Sequence, residues 1–223
     1  MAAHQYSAPF AFNFSSGVHS KNLFALSIGT WNVRTLNSSV SDFHLLGKSH
    51  QLVGELERYR IDLCCLAEVK WPGEGTQKVG EWDIVYSGST VGKKLHGVGI
   101  AIGPNMKSHL CQTLHLTDRL MACVFNVGKI KLHLVSVYAP TEDKSEQIKD
   151  QFYATLQEYI DQVPVRDKLI VCGDFNAQLG GQERQAWSGA LGKFCLGKKA
   201  TENGTKLLSF CASNQLVRNT FFQ

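Results

Sequence analysis

The 223-residue sequence predicts an α/β domain running from about residue 25 to the last residue. Three observations carry this expectation. Short, nearly continuous apolar runs alternate with segments of helical periodicity. No linker, internal repeat or low-complexity block divides them. Four of the apolar runs end in polar residues that a plain core would not choose. Hydrophobic residues make up 43% and charged residues 19% of the chain, which excludes a wholly disordered protein. No run approaches the roughly 18–20 apolar residues of a membrane span. Lys and Arg number 23 against 19 Asp and Glu, and the net charge of +4 permits a polyanionic partner without requiring one.

In chain order, residues 1–24 pattern differently from the rest, with Phe10, Phe12 and Phe14 on alternate positions, and read as a loosely ordered leader rather than a secretory signal. Leu26–Val33 is apolar and partly β-branched, hence a strand. Leu45, Leu46, Leu52, Val53, Leu56 and Tyr59 share one helical face. Ile61–Ala67 is a buried strand, and Gly97–Ile102 and Met121–Val127 are further strands. Lys129–Tyr138 alternates, with Ile130, Leu132 and Leu134 on one side and Lys129, Lys131 and His133 on the other. Ile148, Phe152, Leu156, Tyr159, Ile160 and Val163 form the clearest helical stripe, with Asp143 as the expected cap and Pro164 as the stop. Lys168–Cys172 is a strand, a Gly-rich loop follows to about Thr201, and Leu207, Leu208 and Cys211 mark a last helix.

The seven cysteines include no Cys-x-x-Cys pair, and Cys64, Cys65, Cys123 and Cys172 lie in apolar runs where a thiol serves as a small core residue. This argues against a zinc site or disulfide frame and for a reducing, intracellular setting. Gly192 to Lys199 approaches a phosphate-loop pattern, but Lys199 stands where a Ser or Thr would be needed, so no nucleotide cofactor is expected. Lys193, Lys198, Lys199 and Lys206 form instead a candidate basic surface for nucleic-acid phosphates, with a solvated loop as the plain alternative. Trp31, Trp71, Trp82 and Trp187 are expected in core or turn packing before base stacking.

The polar strand ends are Asn32, Glu68, Tyr138, and Asp174 with Asn176. Ligands of α/β sheets collect at carboxyl ends of strands, and these residue types suit phosphate-ester hydrolysis. A carboxylate and an amide oxygen hold Mg²⁺, a second carboxylate orients and deprotonates water, and an amide and a phenol donate to phosphate oxygens. Each residue alone also has an ordinary structural use: turn, cap, packing aromatic or Asx turn.

Thr30-Trp31-Asn32-Val33, Glu68 after an apolar strand, Tyr138-Ala139-Pro140 and Gly173-Asp174-Phe175-Asn176-Ala177 together resemble the endonuclease/exonuclease/phosphatase superfamily. Ala67-Glu68-Val69-Lys70-Trp71, Gly97-Val98-Gly99-Ile100, Glu202-Asn203-Gly204-Thr205 and Asn219-Thr220-Phe221-Phe222 are similar to the endonuclease domain of RTE-kind LINE retrotransposons and host sequences derived from it. The resemblance implies a four-layer DNase I-like fold, in which a two-sheet β-sandwich is flanked by helices. It implies an intracellular, nuclear, Mg²⁺-dependent endonuclease (Mn²⁺ as a substitute) that nicks DNA, with no membrane partner. Glu68 would be the principal metal ligand with Asn32 beside it. Tyr138 would donate to the scissile phosphate, Asp174 would orient or deprotonate water, and Asn176 would stabilise the pentacovalent centre. Asn203, Arg119, Lys198 and Lys199 would contact substrate. The family closes with a late Asp and a Ser-Asp-His motif. This sequence contains no Asp-His pair, so the expectation is a domain over residues 25–223 incomplete at its C-terminus, lacking its last strands. A truncated, impaired domain acting as a binding module is the alternative function, and a phosphatase of small phosphoesters ranks below it.

Overall fold

The computed structural model of the chain describes residues 12–15, 25–36, 47–90, 96–180 and 199–216. In order the elements are β1 (Phe12–Ser15), β2 (Ala25–Asn32), α1 (Lys48–Arg58), β3 (Leu63–Ala67), β4 (Glu74–Val79), β5 (Trp82–Ser87), β6 (Val98–Ile102), α2 (Pro104–Lys107), β7 (Leu110–Thr117), β8 (Leu120–Val127), β9 (Ile130–Tyr138), α3 (Glu146–Asp161), β10 (Lys168–Asp174) and α4 (Glu202–Ser213). Six strands form a mixed sheet in the order β1-β2-β3-β6-β5-β4, and four form a second in the order β10-β9-β8-β7. Each sheet contains one parallel pair, β2 with β3 and β10 with β9. The described residues fall into two compact units: those within Met1–Tyr138 and Ile160–Asp174, and those within Ala139–Tyr159 and Phe175–Gln223. No described helix is long and apolar enough to cross a membrane.

The first unit holds both sheets. Successive side chains on a strand point to opposite faces, and β3 uses both. Leu63, Cys65 and Ala67 face inward with Ile28 and Ile100 against Met121, Cys123, Phe125 and Leu134 of the second sheet. Cys64 and Leu66 face the other way, packing with Trp31, Trp82, Ile84 and Ala101 against Leu52, Val53 and Leu56 of α1. Both faces are covered, which is why β3 is apolar throughout. The buried Cys64, Cys65 and Cys123 thiols are pushed upward in pKa, chiefly by burial, as core residues should be.

The second unit packs Ala177, Leu207 and Cys211 with Tyr153, Phe175 and Leu216. The Thr201 hydroxyl accepts from the Gly204 amide at 3.1 Å and caps α4. Lys206 bonds to Glu146 at 2.8 Å and to Asp150, tying α4 to α3, and Gln157 and Asn214 exchange amide bonds of 2.7 Å in each direction.

Several sequence expectations are corrected. Within the supposed loose leader, Phe12–Ser15 forms β1, antiparallel to β2. The strand β4 was not foreseen because Glu74, Thr76, Gln77 and Lys78 are exposed; its charged side chains suit a sheet edge. The β7 edge was missed for a similar reason, its exposed positions and register shifts hiding any alternation. Tyr59 lies beyond α1 and is 45% exposed, with Arg58 over its ring. Leu45 and Leu46 lie outside the described residues. Ile148 is exposed despite its place in the stripe. Asp143 does not cap α3, because its carboxylate takes the Thr141 hydroxyl and the Lys144 ammonium. His133 is not free on a solvent face; its Nε2 lies 3.2 Å from Asp167. Trp31 and Trp82 are core residues, Trp71 meets Tyr86 edge-on at 5.0 Å, and Trp187 is outside the described residues.

One glycine sets the spacing on which the site depends. Gly173 has φ +142°, and a Cβ there would lie 2.0 Å from the Val137 carbonyl oxygen. Only glycine lets β10 approach β9 this closely next to Asp174. Gly173→Ala is expected to destabilise the fold by about 3 kcal/mol or more, by backbone strain and overpacking. Urea melts of the two proteins check this, and equal midpoints would contradict it.

Candidate active site

The two parallel pairs bring the polar residues together. In β2 and β3, Asn32 stands opposite Ala67, and Glu68 follows immediately. In β10 and β9, Asp174 stands opposite Tyr138. The carboxyl ends of both pairs therefore carry the functional residues, and one amide joins the sheets. Asn32 Nδ2 donates to Glu68 Oε1 at 2.8 Å and to Asp174 Oδ2 at 2.9 Å. Asn32 Oδ1 accepts from the Arg34 amide at 3.0 Å, which fixes the orientation of the side chain. Asn32, expected as a metal residue beside Glu68, faces the carboxylates through its amide nitrogen. A ligand would present its oxygen, whereas this side chain turns its nitrogen to the carboxylates.

Glu68 has φ +59° and Lys70 φ +60°, two left-handed residues in a three-residue stretch after β3. Such conformations are costly without glycine and mark a segment held by its surroundings. Lys70 Nζ lies 2.9 Å from Glu68 Oε2 and donates to the Arg34 carbonyl at 3.5 Å. Burial opposes ionisation of Glu68, but the Lys70 ammonium, the Asn32 amide and the Tyr138 hydroxyl outweigh it and hold the carboxyl below its usual range. Tyr138 is 9% exposed, and its phenol is pushed up to about 12, first by burial and then by the charge of Glu68. It therefore keeps its proton and remains a donor at neutral pH.

Arg119, expected near substrate, lies against Tyr138. Its Nη1 donates to the Tyr138 carbonyl at 3.1 Å, and its guanidinium carbon lies 5.2 Å from the ring centroid. Its other arm meets His96, whose far nitrogen meets Asp118. His96, Asp118 and Lys70 were not singled out from the sequence as site residues. The tripeptide Asp118-Arg119-Leu120 and the His before Gly97-Val98-Gly99 were the only signals, and a pairing across 22 residues leaves no spacing to read.

In the second unit, Asn176 has φ +46°, a conformation asparagine tolerates, and its Nδ2 donates to the Ala139 carbonyl at 2.7 Å. Asn203 is 4% exposed, and its Nδ2 donates to the carbonyls of Pro140 and Asn176 at 3.0 and 2.9 Å. It binds two loops together. Lys206 is likewise taken up by acidic partners, Lys199 is exposed, and Lys193 and Lys198 lie outside the described residues.

Two mixed sheets, meeting at a carboxylate–amide–carboxylate cluster on the ends of their parallel strands, define a DNase I-like α/β sandwich. The chain belongs to the Endonuclease/Exonuclease/phosphatase family, whose model matches residues 29–214. It is 34% identical over 197 residues to craniofacial development protein 2 of Bos taurus, covering 88% of this chain and 31% of that protein. The chain thus spans about a third of the length of the curated relatives it matches. Its fold is similar to that of an AP endonuclease from Leishmania major, with 12% identity and a TM-score of 0.58 over 84% of this chain and 66% of that one. It is also similar to the human Nocturnin catalytic domain with bound sulfate, with 15% identity and a TM-score of 0.52 over 76% and 68% of the two chains.

Proposed function

We propose that this chain is a divalent-metal-dependent phosphodiester hydrolase that nicks DNA in the manner of a retrotransposon endonuclease, acting in the nucleus. The observation that carries this reading is the Asn32 amide shared between Glu68 and Asp174 at 2.8 and 2.9 Å, beside a protonated phenol. The name and fold of the matched family support the reaction class.

The donor set fits Mg²⁺, with Mn²⁺ as a substitute. The available groups are carboxylate oxygens, and among the described residues no cluster of three or more His, Cys, Asp or Glu side chains is placed to hold an ion. Magnesium keeps most of its waters and takes one or two carboxylates, so Glu68 suffices as principal ligand. When bound, the ion supplies positive charge to the phosphate oxygens. The protein's own groups do the rest. Asp174 orients the attacking water and accepts its proton. Tyr138 donates its hydroxyl to a non-bridging oxygen. Asn32 keeps the two carboxylates at fixed separation.

Lys70 shares Glu68 with the metal in this reading. Lys70→Met is expected to tighten Mn²⁺ binding roughly threefold to tenfold by removing a competing charge from Oε2. Titration followed by Mn²⁺ electron paramagnetic resonance reads this directly, and unchanged affinity would place the ion elsewhere.

The functional test is relaxation of supercoiled plasmid by the purified chain with Mg²⁺ or with EDTA. Metal-dependent appearance of the open circle supports the reading. A soluble, folded chain that leaves the plasmid intact at every metal concentration overturns it and leaves a binding role.

A further inference from the structure

Beside the carboxylate cluster, four side chains from three parts of the first unit link in series. Asp118 and Arg119 occupy the tight turn between β7 and β8, His96 precedes β6, and Tyr138 ends β9. Asp118 Oδ2 lies 3.1 Å from His96 Nδ1, and His96 Nε2 lies 2.7 Å from Arg119 Nη2. Arg119 then bonds the Tyr138 carbonyl at 3.1 Å and covers its ring at 5.2 Å, while the Tyr138 amide donates back to the Arg119 carbonyl at 2.9 Å. The His96 and Tyr138 ring centroids are 6.1 Å apart.

The donor inventory fixes the state of the imidazole. A guanidinium only donates, so Nε2 must accept, and the single proton sits on Nδ1 facing the Asp118 carboxylate. His96 is therefore neutral in this arrangement. A second proton on Nε2 would set two N–H groups of two cations against each other across 2.7 Å. The remaining charged groups nearby are Glu68, bonded to the Tyr138 hydroxyl, and Lys70, whose backbone lies against Gly97.

We infer that Asp118, His96 and Arg119 form a proton-sensitive positioning relay that holds Tyr138 for catalysis and releases it when His96 becomes protonated. The inference rests on the reading of Tyr138 as a donor to the scissile phosphate. With His96 neutral, Asp118 sets the tautomer, Nε2 anchors one arm of Arg119, and the other arm pins the end of β9 and stacks on the phenol. With His96 protonated, Arg119 loses its acceptor and is repelled, and the ring loses its cover. In this reading the three relay residues act on the reaction through Tyr138.

Two measurements test this, one of which needs no activity. In protein labelled with ¹³Cζ-tyrosine, the Tyr138 resonance is assigned by its loss in Tyr138→Phe. Its shift is expected to move as the sample is acidified from about pH 8 to about pH 5 in the wild type and to stay flat in His96→Gln, whose amide oxygen still accepts from Arg119 but carries no titrating proton. Glu68, held low, does not ionise in that window. A Tyr138 signal flat in the wild type, or one still moving in His96→Gln, overturns the relay. In nicking kinetics, Arg119→Lys is expected to lower kcat roughly tenfold with little change in KM, and to cost less than about twofold in a Tyr138→Phe background. His96→Gln is expected to restore most of what His96→Ala loses and to flatten the acid limb. Equal losses from Arg119→Lys in both backgrounds overturn the inference. Failure of the nicking reading itself would show separately, as plasmid left intact by the wild type, while the resonance still decides the relay.

Discussion

Asp174→Asn is expected to lower the single-turnover rate of plasmid nicking by about a thousandfold at saturating Mg²⁺, within the usual range for losing a positioned general base. The substitution is chosen for its shape. Asn32 Nδ2 donates to Asp174 Oδ2 at 2.9 Å, and an amide oxygen at that position accepts the same bond, so the link between the sheets survives. What is lost is the negative charge and the ability to take a proton from water. The melting temperature should therefore stay within a few degrees while the rate collapses, which separates chemistry from folding. Addition of more Mg²⁺ should not rescue the rate, because Asp174 is assigned to the water and Glu68 to the metal. Retention of wild-type rate would remove Asp174 from the proton transfer. Full rescue by metal would instead reassign it as a ligand.

The difference between Asp174 and Asn203 explains how much of this site can be read from sequence. Asp174 is legible because three local signals coincide: an apolar run that forms a strand, a glycine that only a close strand contact requires, and a carboxylate where the strand ends. Asn32, Glu68 and Tyr138 share that logic, since each closes an apolar run, and a run's end can be read without knowing its partners. Asn203 carries an equally distinctive local pattern, yet its partners are the carbonyls of Pro140 and Asn176, 63 and 27 residues away. Burial of an amide against distant backbone has no sequence period, so these contacts cannot be read from the sequence. His96 shows the reverse case. The sequence holds no Asp-His pair, but His96, just before β6, pairs in space with Asp118 in the turn between β7 and β8. The fold follows the same rule. Strands β3, β6 and β8 were legible because burial on both faces demands continuous apolar residues. The edge strands β4 and β7 are held by backbone pairing and expose much of their side-chain surface, which erases the alternation that would have announced them.

Asn32→Ala is the second large effect, and its signature is a moved pH profile as well as a lost rate. One amide nitrogen currently serves two carboxylates, and hydrogen bonds to charged groups are worth about 1.5–3 kcal/mol each. Losing both is expected to lower kcat/KM by roughly a hundredfold to a thousandfold, since the carboxylates then repel without a donor between them. The sign of the pH change follows from Glu68. Burial pushes its pKa up, but the Lys70, Asn32 and Tyr138 contacts prevail and hold it below the ordinary value. A carboxyl depressed in this way contributes stability that is present above its unfolded pKa and is lost as pH falls through the folded value. Removing Asn32 deletes one of the lowering contacts, so the folded pKa rises toward the ordinary value and that window narrows. In a His96→Gln background, where the relay no longer sets the acid limb, the acid limb of kcat/KM in Asn32→Ala should move to higher pH, and the loss of stability on acidification should become shallower than with Asn32 present. Asn32→Asp sharpens the test, because a third carboxylate replaces a donor with a like charge and should move the acid limb further in the same direction. A profile that falls in height without moving along the pH axis would mean that Asn32 acts on substrate directly and that the two carboxylates hold their separation without it.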